Sequence, residues 1–348
     1  MLQRDVIPHW IRYQAGDRLR YLKAHMQTPA VSIIVISYNT REMTIECLRS
    51  VFAETTLPFE IVVVDNASTD GSAEAISEAF PADVYPNLTL LKEIKNHGFA
   101  PAHSVALPHC KAPWLLLLNP DTVILDKAID NLFAFAHREP EARIWGGRTL
   151  YGDKTLNSTS CWHRMTLWTI FCRTAGMTGL FPGSEVFNQE AYGDWPRDSE
   201  RTVDIVTGCF LLIHRETWNA LGGFDPTFVM YGEEADLCLR ARAQGARPRI
   251  TPDATIIHYG GASEPVAADR IVRVLRAKAE LIRRHVPRAQ IRLASFVFRL
   301  FPLTRRYATS LGGIVLGRPG LKQQSKIWAE VWNRRSEWQA GFKRDVER

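Results

Sequence analysis

Four polar elements of this sequence have residue types suited to handling a charged, oxygen-rich ligand. Asn119-Pro120-Asp121 follows the apolar run 114–118, and the proline lifts Asp121 out of that run with its carboxylate free. Hard divalent cations such as Mg2+ or Mn2+ need oxygen ligands of this kind and commonly share them with substrate phosphates. In isolation Asn-Pro-Asp is an ordinary turn. His258, between Thr255-Ile256-Ile257 and Tyr259-Gly260-Gly261, sits at the end of another strand-like run. Such a histidine is usually structural, but next to glycines it can ligate a metal or contact phosphate. The densest acidic element is Tyr231-Gly232-Glu233-Glu234-Ala235-Asp236, preceded by Gly223-Phe224-Asp225. Adjacent desolvated carboxylates repel, which raises the proton affinity of one and suits a general base. Acids also favour the positive end of a helix. That accounts for their position before the helical pattern of 236–243, but not for the aromatic, glycine-bearing loop in front. The run Asp65-Asn66-Ala67-Ser68-Thr69-Asp70-Gly71 either caps a helix or presents a carboxylate to a nucleobase N–H and amides to anions.

The elements that position these residues read as strands alternating with helices. Strands are expected over 31–37, 61–64, 88–93 and 114–118, with helices over 43–52 and 103–107. The sheet implied is mainly parallel, and ligands of such sheets collect at the carboxyl ends of the strands. Ser37-Tyr38-Asn39, Asp65-Asn66, Asn96 and Asn119-Pro120-Asp121 all fall at or just past such ends. Residues 147–202 are rich in Trp, Gly, Ser and Pro and read as loops and a mobile insertion near the site. A second ordered block covers 203–258. Beyond it, 267–286 reads as a basic helix, 289–301 as apolar with Arg292 and Arg299 interspersed, and 327–342 as a helix carrying Trp328, Trp332 and Trp338.

Composition narrows the class. With 348 residues, 46% of them hydrophobic, the chain can bury a substantial core. Its six cysteines have no paired or zinc-type spacing, which fits free thiols in a reducing cytosol. Residues 1–20 lack the apolar core of a secretory signal. The longest apolar runs are strand-sized, far short of the roughly 20 residues of a membrane-spanning helix. The net charge of +6 hides an asymmetry: residues 264–348 hold 19 Lys and Arg against 7 Asp and Glu, leaving 24 basic and 30 acidic residues before them. An acidic body with a basic tail and no recognisable module argues against nucleic-acid binding.

In order along the chain stand Val31-Ser32-Ile33-Ile34-Val35-Ile36-Ser37-Tyr38-Asn39, Val64-Asp65-Asn66-Ala67-Ser68-Thr69-Asp70-Gly71, Asn96-x-Gly98-Phe99-Ala100, Leu118-Asn119-Pro120-Asp121, Gly222-Gly223-Phe224-Asp225, Glu233-Glu234-Ala235-Asp236-Leu237-Cys238 and His258-Tyr259-Gly260-Gly261. Each is weak alone, but seven in this order are specific. Over residues 31–263 the chain resembles the family 2 inverting glycosyltransferases of the GT-A fold, in particular their rhamnosyltransferase-like branch. The resemblance implies an α/β, Rossmann-like fold with a nucleotide-sugar half over about 31–125, an acceptor half over about 203–263, an N-terminal extension over 1–30 and a basic helical extension over 264–348.

It further implies that Ser37, Tyr38, Asn39 and Asp65 hold the nucleoside and that Asn96, Gly98 and Asn119 line the donor site. Asp121 matches the last acid of the family's Asp-x-Asp metal motif, with Asn119 at the first position, and His258 adds a metal or diphosphate contact. Glu234 stands where the family has its catalytic aspartate. It is one methylene longer, which leaves Glu233 and Asp236 as alternative bases. Thr207, Gly208 and Cys209 form an acceptor-side wall. Pro101-Ala102-His103-Ser104 replaces the family's paired asparagines, a departure that bears on donor choice. The implied reaction moves a sugar, rhamnose by branch resemblance, from a dTDP- or UDP-linked donor to a hydroxyl of a glycan or lipid-linked glycan, with Mg2+ or Mn2+. The expected location is cytoplasmic, with residues 264–348 facing either an anionic membrane or the catalytic domain. The rival reading is a non-catalytic nucleotide-sugar or carbohydrate-binding protein of the same fold.

Overall fold

The structure, a computed structural model, describes residues 28–260, 268–315 and 317–342. The expected N-terminal extension lies outside the described residues except for 28–30, as do Gly261 and the boundary at 263–264. The first half alternates β1 (Val31–Ser37), α1 (Arg41–Glu54), β2 (Phe59–Asp65), α2 (Ser72–Ala79), β3 (Leu88–Lys92), α3 (Phe99–Ala106) and β4 (Trp114–Leu118). β5 (Thr122–Ile124), α4 (Ala128–Arg138), β6 (Ile144–Leu150), β7 (Leu156–Asn157), β8 (Cys161–Trp162), α5 (Leu167–Ala175) and α6 (Met177–Leu180) follow. β9 (Arg201–Thr202), β10 (Ile205–Val206), β11 (Phe210–His214), α7 (Arg215–Leu221), α8 (Glu233–Ala243) and β12 (Arg249–His258) complete the sheet region. The C-terminal helices are α9 (Ala268–His285), α10 (Ile291–Val315), α11 (Pro319–Asn333) and α12 (Arg335–Trp338).

Among the described residues the main sheet runs β3-β2-β1-β4-β11-β6-β12-β5. β1 to β4 pair in parallel, whereas β11 enters antiparallel to both β4 and β6. The parallel reading thus holds for the first half. In the second half it gives way to mixed pairing, because short excursions return the chain in alternating directions. Every residue of β1 is buried, since helices cover both faces of the sheet. Ile34 and Ile36 join one core while Val31, Ile33 and Val35 join the other, as side chains alternate across a strand. Each such aliphatic side chain contributes about 2 kcal/mol on burial.

The stretch 147–202 departs from the expected loops. It holds α5, which starts at a reciprocal cap between Thr166 and Thr169 and buries Ile170 and Cys172. The composition hid this helix because its exposed face is aromatic, with Trp168 and Phe171 three residues apart. Two C-terminal expectations also shift. The apolar stretch 289–301 continues as α10 through Pro302 to Val315, and the helix expected over 327–342 is instead α11, which begins at Pro319 and ends at Asn333, followed by the short α12. Nor is the basic tail separate from the body. Ala277 and Leu281 of α9 join the core beneath β1 and β4, Trp338 is fully buried, and Phe342 packs edge-on to Phe228 at 5.5 Å. Among the described residues no helix is long and apolar enough to cross a membrane.

Candidate active site

The carboxyl ends of β1 and β2 build one wall. Asp65 ends β2 almost wholly buried, with Oδ2 accepting from the Ser68 amide at 3.2 Å. Its Oδ1 is buried with no hydrogen-bond partner among the described residues. Asn39, in a left-handed conformation at φ 53°, accepts from the Thr69 amide and donates its own amide to Ser68 Oγ, tying the β1 loop to the β2 loop. Tyr38 stands exposed at the rim. Ser37 is fully buried, and its hydroxyl is shared with Thr40 and Thr44, so its side chain holds the loop rather than facing a ligand.

Asn66 has a part that its sequence position alone did not suggest. Its side chain donates to Asn96 Oδ1 and the Gly98 carbonyl and accepts from the His97 amide, fixing the loop from β3 to α3. Asn96 in turn accepts from the Gly98 amide. Gly98 has φ 84°, and a Cβ there would meet Val229 Cγ1 at 2.5 Å and its carbonyl oxygen at 2.9 Å. The Phe99 amide donates to that same carbonyl. The loop from β3 to α3 is thereby docked on the loop that leads into the acidic helix.

The second wall forms where β4, β5, β11 and β12 meet. Thr122 pairs with His258 in the β5–β12 ladder, which sets Asp121 beside the imidazole with His258 Nε2 3.5 Å from Asp121 Oδ1. Burial presses the Asp121 carboxyl upward, but the hydrogen bond and charge of His258 hold it below the usual carboxylate range. Burial likewise presses His258 downward, yet the sulfur of Cys209 and the Asp121 carboxylate raise it to about 11. Without a metal, an imidazolium neutralises the carboxylate. Asn119 donates its amide to the Cys209 carbonyl and keeps a buried Oδ1 with no partner among the described residues. The donor set of Asp121, Asn119 and His258 suits a hard or borderline cation that takes its remaining ligands from a diphosphate. Among the described residues no group of three or more His, Cys, Asp and Glu converges as a closed cage.

The third wall is the start of α8. Gly232, left-handed at φ 88°, turns the chain into the helix, so Glu233 and Glu234 form its first turn rather than the preceding loop. Glu233 is nearly inaccessible and its Oε2 has no hydrogen-bond partner among the described residues. Burial, then the charge of Glu234, pushes its carboxyl well above the ordinary range. Burial also raises Glu234, against backbone hydrogen bonds that lower it. Glu234 lines a cavity of about 330 Å3, whereas Glu233 does not. Asp236 is engaged elsewhere. Burial opposes its ionisation, but His285 at 2.9 Å and Arg240 at 2.6 Å hold it below the usual range as a structural anion. Gly208 lies against Glu234, with a built Cβ 3.5 Å from the Glu234 Cβ, while neighbouring Cys209 touches Asn119 and His258. The segment 207–209 thus joins the two acidic centres.

Across the cavity from Glu234 lies a group that sequence reading missed. Glu190 pairs with Lys278 at 2.6 Å and with Arg173 at 3.0 Å. Burial opposes its ionisation, but these two cations draw its carboxyl down to about 2. The partners come from α5, a short turn and α9, too far apart in the chain for any spacing to reveal them.

Residues 32–193 match the family described as Glycosyl transferase family 2. An O-antigen biosynthesis protein, RfbC, of Myxococcus xanthus is 28% identical over 245 residues, which are 68% of this chain and 18% of that protein. An N-acetylglucosaminyl-diphospho-decaprenol L-rhamnosyltransferase of Mycobacterium tuberculosis is 26% identical over 247 residues, 67% of this chain and 76% of that one. Among solved structures, a mannosyltransferase of Pyrobaculum calidifontis in complex with GDP-Man and Mn2+ superposes with a TM-score of 0.56 at 18% identity, over 93% of each chain. The ordered motifs and the family match agree over residues 32–193, which are similar to the family 2 glycosyltransferases, and the chain as a whole shares the GT-A fold.

Proposed function

We propose that the protein is an inverting, metal-dependent glycosyltransferase of cell-surface glycan assembly, using a nucleoside-diphosphate sugar as donor and a hydroxyl of a glycan or lipid-linked glycan as acceptor. The observation that supports this reading is the segment 207–209, whose Gly208 lies against Glu234, a carboxylate of raised proton affinity, while its Cys209 touches Asn119 and His258. In this reading the free Oδ1 of Asp65 accepts from the nucleobase, and the linked loops of Asn39, Asn66 and Asn96 shape the nucleoside pocket.

Asp121, Asn119 and His258 would hold Mg2+ or Mn2+. The ion supplies Lewis-acid charge neutralisation at the departing diphosphate. Ionised Glu234 takes the proton of the acceptor hydroxyl as that oxygen bonds to the anomeric carbon. The bond from carbon to diphosphate oxygen breaks on the opposite face, which inverts the centre. Burial suits Glu234 to this, because a base works best with a proton affinity near the working pH. Glu233 holds the neighbouring position, where burial and the charge of Glu234 favour its protonated form.

A rhamnose donor is favoured by the similarity to a mycobacterial L-rhamnosyltransferase. The six cysteines are free and buried, which supports a reducing, cytoplasmic location. An association with the inner face of the cell membrane draws its support from the apolar and basic surface of α10. Glu234→Gln tests the reading: transfer should fall by at least about a hundredfold while donor binding persists. Near-normal turnover would remove Glu234 as the base. Donor binding without turnover in the native protein would favour the non-catalytic alternative.

A further inference from the structure

The cavity behind Glu234 does not end at its own walls. Met165 and His285 line it, and both also line a larger groove of about 830 Å3 on the outer surface between α5 and α10. This groove is apolar along its length, with Trp168 and Phe171 on one bank and Leu293 and Val297 on the other. Trp168 and Phe171 stack at 5.8 Å, yet they are 43% and 44% exposed. Leu293 is 53% exposed and Phe296, one turn on, 59%. Large aromatic and aliphatic side chains left open together mark a binding surface rather than ordinary surface scatter.

Charge is arranged unequally along this route. The groove has Arg164 at its edge. Inside the cavity Arg173 and Lys278 both pair with Glu190, two cations against one carboxylate in a cluster that shares the chamber with Glu234. A ligand spanning both spaces therefore needs a polar end at Glu234, an anion near Arg173 and Lys278, and an apolar chain beyond Met165 and His285. A free glycan satisfies only the first of these.

We propose that the groove between α5 and α10 seats the hydrocarbon chain of a phosphate-linked lipid acceptor whose sugar hydroxyl reaches Glu234. The proposal rests on the glycosyltransferase reading and adds the site of the lipid. The anion lies beside Arg173 and Lys278 in the cavity, and the chain leaves past Met165 and His285 along Trp168, Phe171 and Leu293.

The test uses the full chain with farnesyl phosphate, farnesol and inorganic phosphate as separate probes, alongside a nucleotide-sugar panel on the native protein. Farnesyl phosphate should bind at least about tenfold more tightly than either probe carrying only one of its two features. Phe171→Glu and Leu293→Glu, both at exposed positions, should weaken it by about tenfold each, with melting temperature reporting that they fold. A benzophenone-tagged lipid phosphate should cross-link the native protein within α5 or α10, a readout independent of any variant. Equal binding of farnesyl phosphate and inorganic phosphate would overturn the proposal, as would cross-links only elsewhere. A groove substitution that alters self-association but not lipid binding would also overturn it, by assigning the face to a second copy of the chain. Failure of every nucleotide sugar to bind would instead remove the glycosyltransferase reading, whatever the lipid arms show.

Discussion

The walls of the site proposed for donor and for acceptor are built by opposite means. On the donor side the residues come from contiguous motifs at successive strand ends and pair with one another, as in Asn39 with Thr69 and Asn66 with Asn96. They are held mainly by short-range hydrogen bonds at a partly open rim. On the proposed acceptor side Glu190, Arg173 and Lys278 come from distant segments and meet in a cluster that shares its cavity with Glu234, whose proton affinity burial has raised. A donor pocket of this kind can be written locally because the strand ends of a parallel sheet already converge. The acceptor pocket exists only once α5 and α9 have packed, so its chemistry and its stability are coupled.

That contrast can be broken at its hinge. Asp121→Ala should have the largest effect, lowering metal-dependent turnover by about a hundredfold or more, since it removes the one carboxylate at the proposed cation site. It also leaves the His258 imidazole without its partner, so the histidine's pKa, followed by NMR, should fall from about 11. Because that raised pKa belongs to the folded state, the pair's stabilisation is complete below the ordinary 6.5 and is lost as pH rises through about 11. Retained metal dependence in this variant would place the ion elsewhere.

Glu190→Gln probes the coupling on the acceptor side. It should cost about 3 kcal/mol in denaturant unfolding, because two cations lose their shared anion in a buried setting. In the native protein the Glu190 carboxyl, depressed to about 2, contributes stability above the ordinary 4.5 that disappears as pH falls toward 2. The variant should show a weaker acid dependence across that window. The same substitution leaves donor binding intact if the two walls are built independently.

Gly98→Ala should have the smallest effect of the three, about 2 kcal/mol, from a side chain forced into positive φ against Val229. Its diagnostic value lies in the readout. Because Gly98 docks the donor loop on the loop before α8, the Michaelis constant for the donor and the turnover number should both change. A change in donor affinity alone would mean that the walls do not communicate through this contact.

The legibility of the site followed the same division. β1, β2 and β4 are continuous apolar runs ending in polar residues, so their position and the place of Asp65 and Asp121 could be read directly. Glu234 was recognisable as a base candidate, although its place in the first turn of α8 depends on the left-handed Gly232. Four features stayed hidden for physical reasons. The Ser37 hydroxyl is consumed by Thr40 and Thr44, and Asp236 by Arg240 and His285, pairings that a residue type cannot reveal. α5 was masked because its aromatic face is exposed and so resembles an irregular Trp-rich loop. The basic tail read as a candidate membrane element, but much of the charge on α9 is spent internally, as Arg284 shows by pairing with Asp225 and Glu280.

The most direct test of the account is release of nucleoside diphosphate from a panel of nucleotide sugars by the native protein, with Mg2+ or Mn2+ and then with chelator. The account predicts that at least one donor is turned over, that chelation stops it, and that its rate against pH has an acidic limb above the 4.5 of an ordinary glutamate, as the raised Glu234 requires. Turnover undiminished by chelation, or no response to any nucleotide sugar, would contradict it.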